Sequence, residues 1–183
     1  MSIREAVREL PRPGIIPAGI GAHFACFRAD DIMIKVAKLR SGLLLDDICY
    51  ELIKATIPHQ YLVEQSMASV SLRARGIPFA SKEVLLQPFV PGINVGRMLF
   101  ESTTIFGKEE VSVYPEYRDS FALVAPALRG LLYNPNIDPR PSNFIATPEG
   151  SLVYIDYQMP LICPRSEECR SILDRLLKRE GFL

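Results

Sequence analysis

The sequence predicts an α+β fold, arranged as one medium domain or two small lobes. Three observations point there: a length of 183 residues, short strands with period-two alternation near the start, and several stretches of helical spacing separated by proline and glycine. A hydrophobic fraction of 48% against 23% charged residues excludes a disordered chain. Lys plus Arg number 21 and Asp plus Glu number 21, so no net charge favours nucleic acid or an anionic membrane as partner. No apolar run approaches the roughly 18 residues of a membrane span. MSIREAVREL carries two acids (Glu5 and Glu9) and lacks the apolar core of a secretory signal, so a soluble, cytoplasmic protein is expected. Four cysteines without a CxxC pair, and two isolated histidines, argue against structural zinc, a disulfide framework and a histidine-based triad. The chemistry is left to carboxylates, amides and lysines.

The elements follow in order. PRPGIIPAGIG, residues 11–21, reads as a turn-rich entry. FACF and DIMIKVAK read as two short strands joined at Arg28–Asp31. In the second, Ile32, Ile34 and Val36 face one side while Met33, Lys35 and Ala37 face the other. Residues 43–56 and 60–75 have helical spacing; in the latter, Val63, Met67, Val70 and Ala74 form a narrow apolar stripe that Gly76 and Pro78 end. KEVLLQPFV reads as a strand leading into Pro91-Gly92. Helices are predicted over 94–101 and 116–133, the latter kinked or broken at Pro126. The loop NPNIDPRPSN then opens a hairpin made of FIA, the turn TPEGS and LVYI. An amphipathic helix over 166–179 closes the chain, with Ser166 as its N-cap and Ile172, Leu173, Leu176 and Leu177 inward.

The informative segment is Asn136-Ile-Asp138-Pro-Arg140-Pro-Ser-Asn143, followed by the hairpin and Tyr154-Ile-Asp156-Tyr157. A hairpin folds back on itself, so Asn143 at its entrance and Asp156 at its exit lie close in space. A carboxylate and an amide oxygen there suit a hard cation that also carries phosphate and water. Asp138, held nearby, can orient a hydroxyl and accept its proton.

This segment resembles the catalytic loop and magnesium-binding hairpin of the protein-kinase superfamily, H-R-D-x-x-x-x-N followed by D-F-G. The resemblance implies Asp138 as catalytic base, Asn143 and Asp156 as magnesium ligands, and Arg140 as the cation two residues beyond the base. That cation is typical of kinases acting on serine or threonine. I-M-I-K35 resembles the V-A-I-K strand, so Lys35 is expected on the α/β-phosphates of ATP. A-G19-I-G21-A resembles a phosphate-covering glycine loop with two glycines where three are common. L-L-Q-P-F-V-P-G resembles a hinge, with the Pro88 carbonyl and the Val90 amide free for adenine. The helical glutamate that pairs with Lys35 is expected to be Glu64, with Glu51 on the preceding helix as its rival. The likeness runs from about Gly14 to about Met159.

Asn136 stands where the family has histidine, and Tyr157-Gln158 where it has phenylalanine and glycine. Only 27 residues (183 − 156) follow Asp156, too few for the family's long activation segment and substrate-binding helices. The implied architecture is a minimal bilobal kinase-like fold with a truncated second lobe: residues 1–90 as the first lobe and 91–183 as the second. Its size resembles the compact HopBF-type effector kinases that some plant-associated bacteria inject into host cells, whose implied substrate is a serine of a host heat-shock chaperone. The implied cofactors are ATP and Mg²⁺, and the implied partner is a protein substrate, with no nucleic acid and no membrane span. A small-molecule kinase, a nucleotidyl transferase and a non-catalytic pseudokinase module are the alternatives on the same fold.

Overall fold

The computed structural model describes residues 16–20, 24–37, 40–69, 73–74, 77–78, 83–103, 109–157 and 166–182. The chain is α+β with antiparallel sheets, and its described residues fall into two compact units. The first draws on Met1–Glu51 and Val63–Phe89, the second on Leu52–Leu62 and Val90–Leu183.

The first unit is built on a five-stranded sheet. Strands β1 (Ile16–Ile20), β2 (Phe24–Ala29) and β3 (Ile32–Ala37) run as successive hairpins. β7 (Glu83–Pro88) pairs with β3, and β4 (Ser66–Ser69) closes the far edge, giving the order β1-β2-β3-β7-β4. Asp30 takes φ 51° in the two-residue turn between β2 and β3, a conformation aspartate tolerates. The alternation predicted for β3 holds: Ile32, Ile34 and Val36 pack with Val84 and Leu86 on one face, while Ala37 packs with Phe24 and Leu85 on the other. A minor hairpin, β5 (Arg73–Ala74) with β6 (Ile77–Pro78), precedes β7. Helix α1 (Arg40–Lys54) follows β3, near the predicted bounds.

The helix predicted over 60–75 is absent among the described residues of that range. A 3₁₀ turn at His59–Tyr61 leads into an extended link and then into β4. The reason is tertiary: β7 is a buried strand whose outer edge must be hydrogen-bonded, and β4 satisfies it through the register Ser66↔Leu86 to Ser69↔Glu83. Met67 and Ala68 favour a helix by themselves, so here the pairing with β7 overrides local preference. Gly14, Gly21, His23, Gly76, Cys163 and the remnant MPLICPR lie outside the described residues.

In the second unit, β11 (Phe144–Ala146) and β12 (Leu152–Tyr154) form the predicted hairpin, with Gly150 at φ 80° in its turn. β8 (Ile93–Asn94) adds to the other side of β11. Gly92 makes this approach possible: its φ is 149°, and a Cβ there would sit 2.3 Å from the Ala146 carbonyl oxygen. The helix predicted over 94–101 is also absent. The Asn94 side chain accepts the Gly96 N–H at 2.9 Å and caps a single 3₁₀ turn, Val95–Arg97. The chain then turns into β9 (Leu99–Thr103), paired with β10 (Glu109–Val113), where Leu99 and Phe100 find strand partners. Helix α2 (Arg118–Leu132) buries Phe121, Val124, Ala125, Leu128, Leu131 and Leu132. It runs unbroken through Pro126, which lies on the exposed side of the helix. Helix α3 (Ser166–Arg179) buries Leu173, Leu176 and Leu177 as predicted, with Ile172, also expected inward, only partly buried, and packs against α2 and β10.

Candidate functional site

The loop from α2 to β11 carries the polar centre of the second unit. Arg140 precedes a proline and is extended (φ −58°, ψ 129°), as that position requires. Pro141 then starts a 3₁₀ turn, Pro141–Asn143, where its missing N–H costs nothing. The turn closes with the Asn143 N–H donating to the Arg140 carbonyl at 2.9 Å. Asn143 is thereby aimed back at Asp138, donating through Nδ2 to the Asp138 backbone oxygen (3.3 Å) and to its Oδ2 (3.0 Å).

Asp138 is fully buried at 0% exposure, and donors surround its carboxylate. Oδ2 also accepts from Arg140 Nε at 2.5 Å. Oδ1 accepts from Ser166 Oγ at 3.1 Å and, at 3.4 Å, from the Arg140 backbone N–H. The Asp138 N–H donates to the Tyr154 hydroxyl at 3.1 Å. Burial pushes the Tyr154 phenol well above its ordinary range, with the negative charges of Asp156 and Asp138 adding to it, so this hydroxyl stays neutral. A buried carboxylate needs such a cage, since charge without donors is costly to remove from water.

Asp156 stands where the hairpin predicts. The Ile155 N–H donates to the Asn143 carbonyl at 2.9 Å, extending the β11–β12 register by one pair and bringing the chain at Asp156 alongside Asn143. Asp156 is half-buried, and its Oδ1 is a buried oxygen without a hydrogen-bond partner. Asn143 spends its amide hydrogens on Asp138, which leaves its carbonyl oxygen as the atom to face a cation. An orphaned carboxylate oxygen and an amide oxygen form a hard donor set that fits magnesium with phosphate and water completing the shell. Among the described residues no group of three or more His, Cys, Asp or Glu could hold a metal.

The first unit carries the remaining expected residues. Lys35 is 7% exposed on β3, opposite Cys26 of β2 and Leu85 of β7, with its ammonium 5.9 Å from the Phe24 ring centroid. Gly19 lies in β1, beyond a bulge that shifts the register between Pro17 and Gly19; Gly21 is outside the described residues. Pro88 ends β7 opposite Ile32, and Val90 begins the second unit. Glu64 does not stand on a helix. It is exposed on the link before β4, because the segment that was to carry it is recruited to the sheet edge. Glu51 is on α1 and exposed.

Three residues were not foreseen. Asp46 on α1 is 1% exposed, at the first place of the buried stripe Asp46, Cys49, Tyr50 and Ile53. The signal was readable: those positions fall at i, i+3, i+4 and i+7, so an acid occupies a core position. Tyr154 reads in sequence as an ordinary strand aromatic. Ser166 reads as a helix cap, yet its hydroxyl goes to Asp138, a contact across 28 positions that no local pattern encodes.

No protein-family model matches the chain, and no curated protein matches it.

Proposed function

We propose that this protein is an ATP- and magnesium-dependent phosphotransferase of minimal protein-kinase-like build that acts on a serine or threonine of a protein. The observation that carries the reading is the buried Asp138–Asn143–Arg140 network beside the orphaned oxygen of Asp156. Asp138 orients the acceptor hydroxyl and takes its proton. Asn143 fixes Asp138 through Nδ2 and, with Asp156, supplies the oxygen ligands of the metal. Asn143 and Asp156 would hold magnesium, which would supply positive charge against the charge that develops on the phosphates. Arg140, half-buried with Nε on Asp138, stands beside the acceptor and neutralises the phosphoryl group being transferred. Lys35 holds the α/β-phosphates, Gly19 and Gly21 cover them, and the Pro88 carbonyl and Val90 amide recognise adenine.

Asp46, rather than Glu64, is the acid that fixes Lys35 in this reading. Lys35 and Asp46 are the buried charged residues among the described part of the first unit, they are opposite in sign, and the helix bearing Asp46 directly follows the strand bearing Lys35. A buried charge of each sign in one compact unit is the ground for proposing them as partners. Turnover should fall at least about 10-fold in Asp46→Asn and stay unchanged in Glu64→Gln; loss in Glu64→Gln with Asp46→Asn unaffected would give the role to Glu64.

The test is incubation with Mg²⁺, γ-labelled ATP and a eukaryotic lysate, alongside Asp156→Ala. Labelled bands that vanish with the variant support the reading, and a band at the size of a heat-shock chaperone supports the HopBF-type effector role. Label carried instead from α-labelled ATP means nucleotidyl transfer. No label and no turnover, in protein that stays folded, means a pseudokinase module.

A further inference from the structure

We propose that Ser166 is itself a phosphoryl acceptor, modified in cis by the site centred on Asp138. This rests on the phosphotransferase reading above. The Ser166 hydroxyl lies 3.1 Å from Asp138 Oδ1, inside the roughly 2.6–3.2 Å reach from which a base can take a proton. Among the described residues it is the hydroxyl that occupies an Asp138 oxygen; Tyr154 meets the backbone N–H instead. The remaining oxygen, Oδ2, is taken by Arg140 Nε and Asn143 Nδ2. An acceptor from outside must therefore take the place Ser166 now holds. Ser166 is 3% exposed and Asp138 0%, so the pair is held in its geometry rather than meeting by chance at the surface. The Ser166 hydroxyl donates across the fold to the carboxylate.

The step balances with ATP as donor. Ser166 Oγ bonds to the γ-phosphorus as the bond to the β–γ bridging oxygen breaks. ADP leaves with that electron pair, and the hydroxyl proton passes to Asp138 Oδ1. The product sets a phosphate at the N-terminus of a 14-residue helix, where the helix dipole favours an anion, with Arg140 at hand. It also sets two anions against each other, so the first turn of α3 leaves Asp138 and frees Oδ1 for an outside hydroxyl.

The purified protein is incubated with Mg²⁺ and ATP, and phosphate is mapped by peptide mass spectrometry at several protein concentrations, while lysate labelling is followed in parallel. Phosphate on Ser166, at a fractional rate independent of protein concentration, is the expected result; Ser166→Thr keeps the label as phosphothreonine and Ser166→Ala loses it at that site. Lysate bands labelled while Ser166 stays unmodified overturn this inference and leave the kinase reading standing. A rate proportional to protein concentration overturns the cis step. No phosphate on the protein or on any lysate band brings down both. Without nucleotide, Ser166→Ala should lower the melting temperature by about 2–4 °C and Ser166→Thr should restore it; no change in Ser166→Ala means the hydroxyl is not on Asp138.

Discussion

Asp138 shows how much of this protein's chemistry depends on single side chains. Its carboxylate is fully buried, and Arg140, Asn143 and Ser166 all donate to it. Asp138→Asn preserves the shape but turns one acceptor into a donor facing donors. We expect turnover to fall about 10²–10⁴-fold, as loss of a general base does, measured as ADP release. Asn143→Ala removes two hydrogen bonds to Asp138, one of them to its charge, and should cost about 1.5–3 kcal/mol in urea denaturation. A cost near zero would mean that the amide is not what holds Asp138. Gly92→Ala introduces a methyl group 2.3 Å from the Ala146 carbonyl oxygen at a φ that disfavours side chains, and should destabilise by about 2 kcal/mol or more.

Helices α2 and α3 are joined by a polar tie as well as by packing. Asp174 of α3 accepts from Lys178 at 2.6 Å and from the hydroxyl of Tyr133, which follows α2. Lys178 first, and then Tyr133, hold the Asp174 carboxyl below its usual range. A carboxyl lowered in the folded state contributes stability that is present above its unfolded pKa and lost as pH falls through the folded one. The melting-temperature advantage of the wild type over Asp174→Asn should therefore shrink as pH drops from about 5 to about 2, and salt should weaken it because the tie is exposed. A gap constant over that range would show that the carboxylate contributes no charge-dependent stability. The same scale explains which elements were legible. The β2–β3 alternation, the β11–β12 hairpin and α3 carry their periods in their own residues. The segments at 60–75 and 94–101 do not, because β7 needs an edge partner and Asn94 stops a helix after one turn.

For the whole molecule, the α+β class was readable from composition and period, and so was the grouping of Asp138, Asn143 and Asp156, since a hairpin register brings its two ends together. Asp46 was readable in principle from helical phase. The Ser166–Asp138 contact was not, because a loop residue and a helix start 28 positions apart meet only after the second unit has packed. The helix expected to carry Glu64 is replaced by an extended link, which local pattern did not reveal. Among the described residues no helix is long and apolar enough to cross a membrane, in line with the sequence. The central proposal is that Asn143 and Asp156 hold a magnesium ion together with the phosphates of ATP. Calorimetric titration of ATP into the protein, with and without Mg²⁺, tests it most directly. The account predicts binding with Mg²⁺, its loss when the metal is withdrawn, and its loss in Asp156→Ala. Wild-type protein that takes up no nucleotide with Mg²⁺ present, or that binds it equally well after Asp156→Ala, would contradict it.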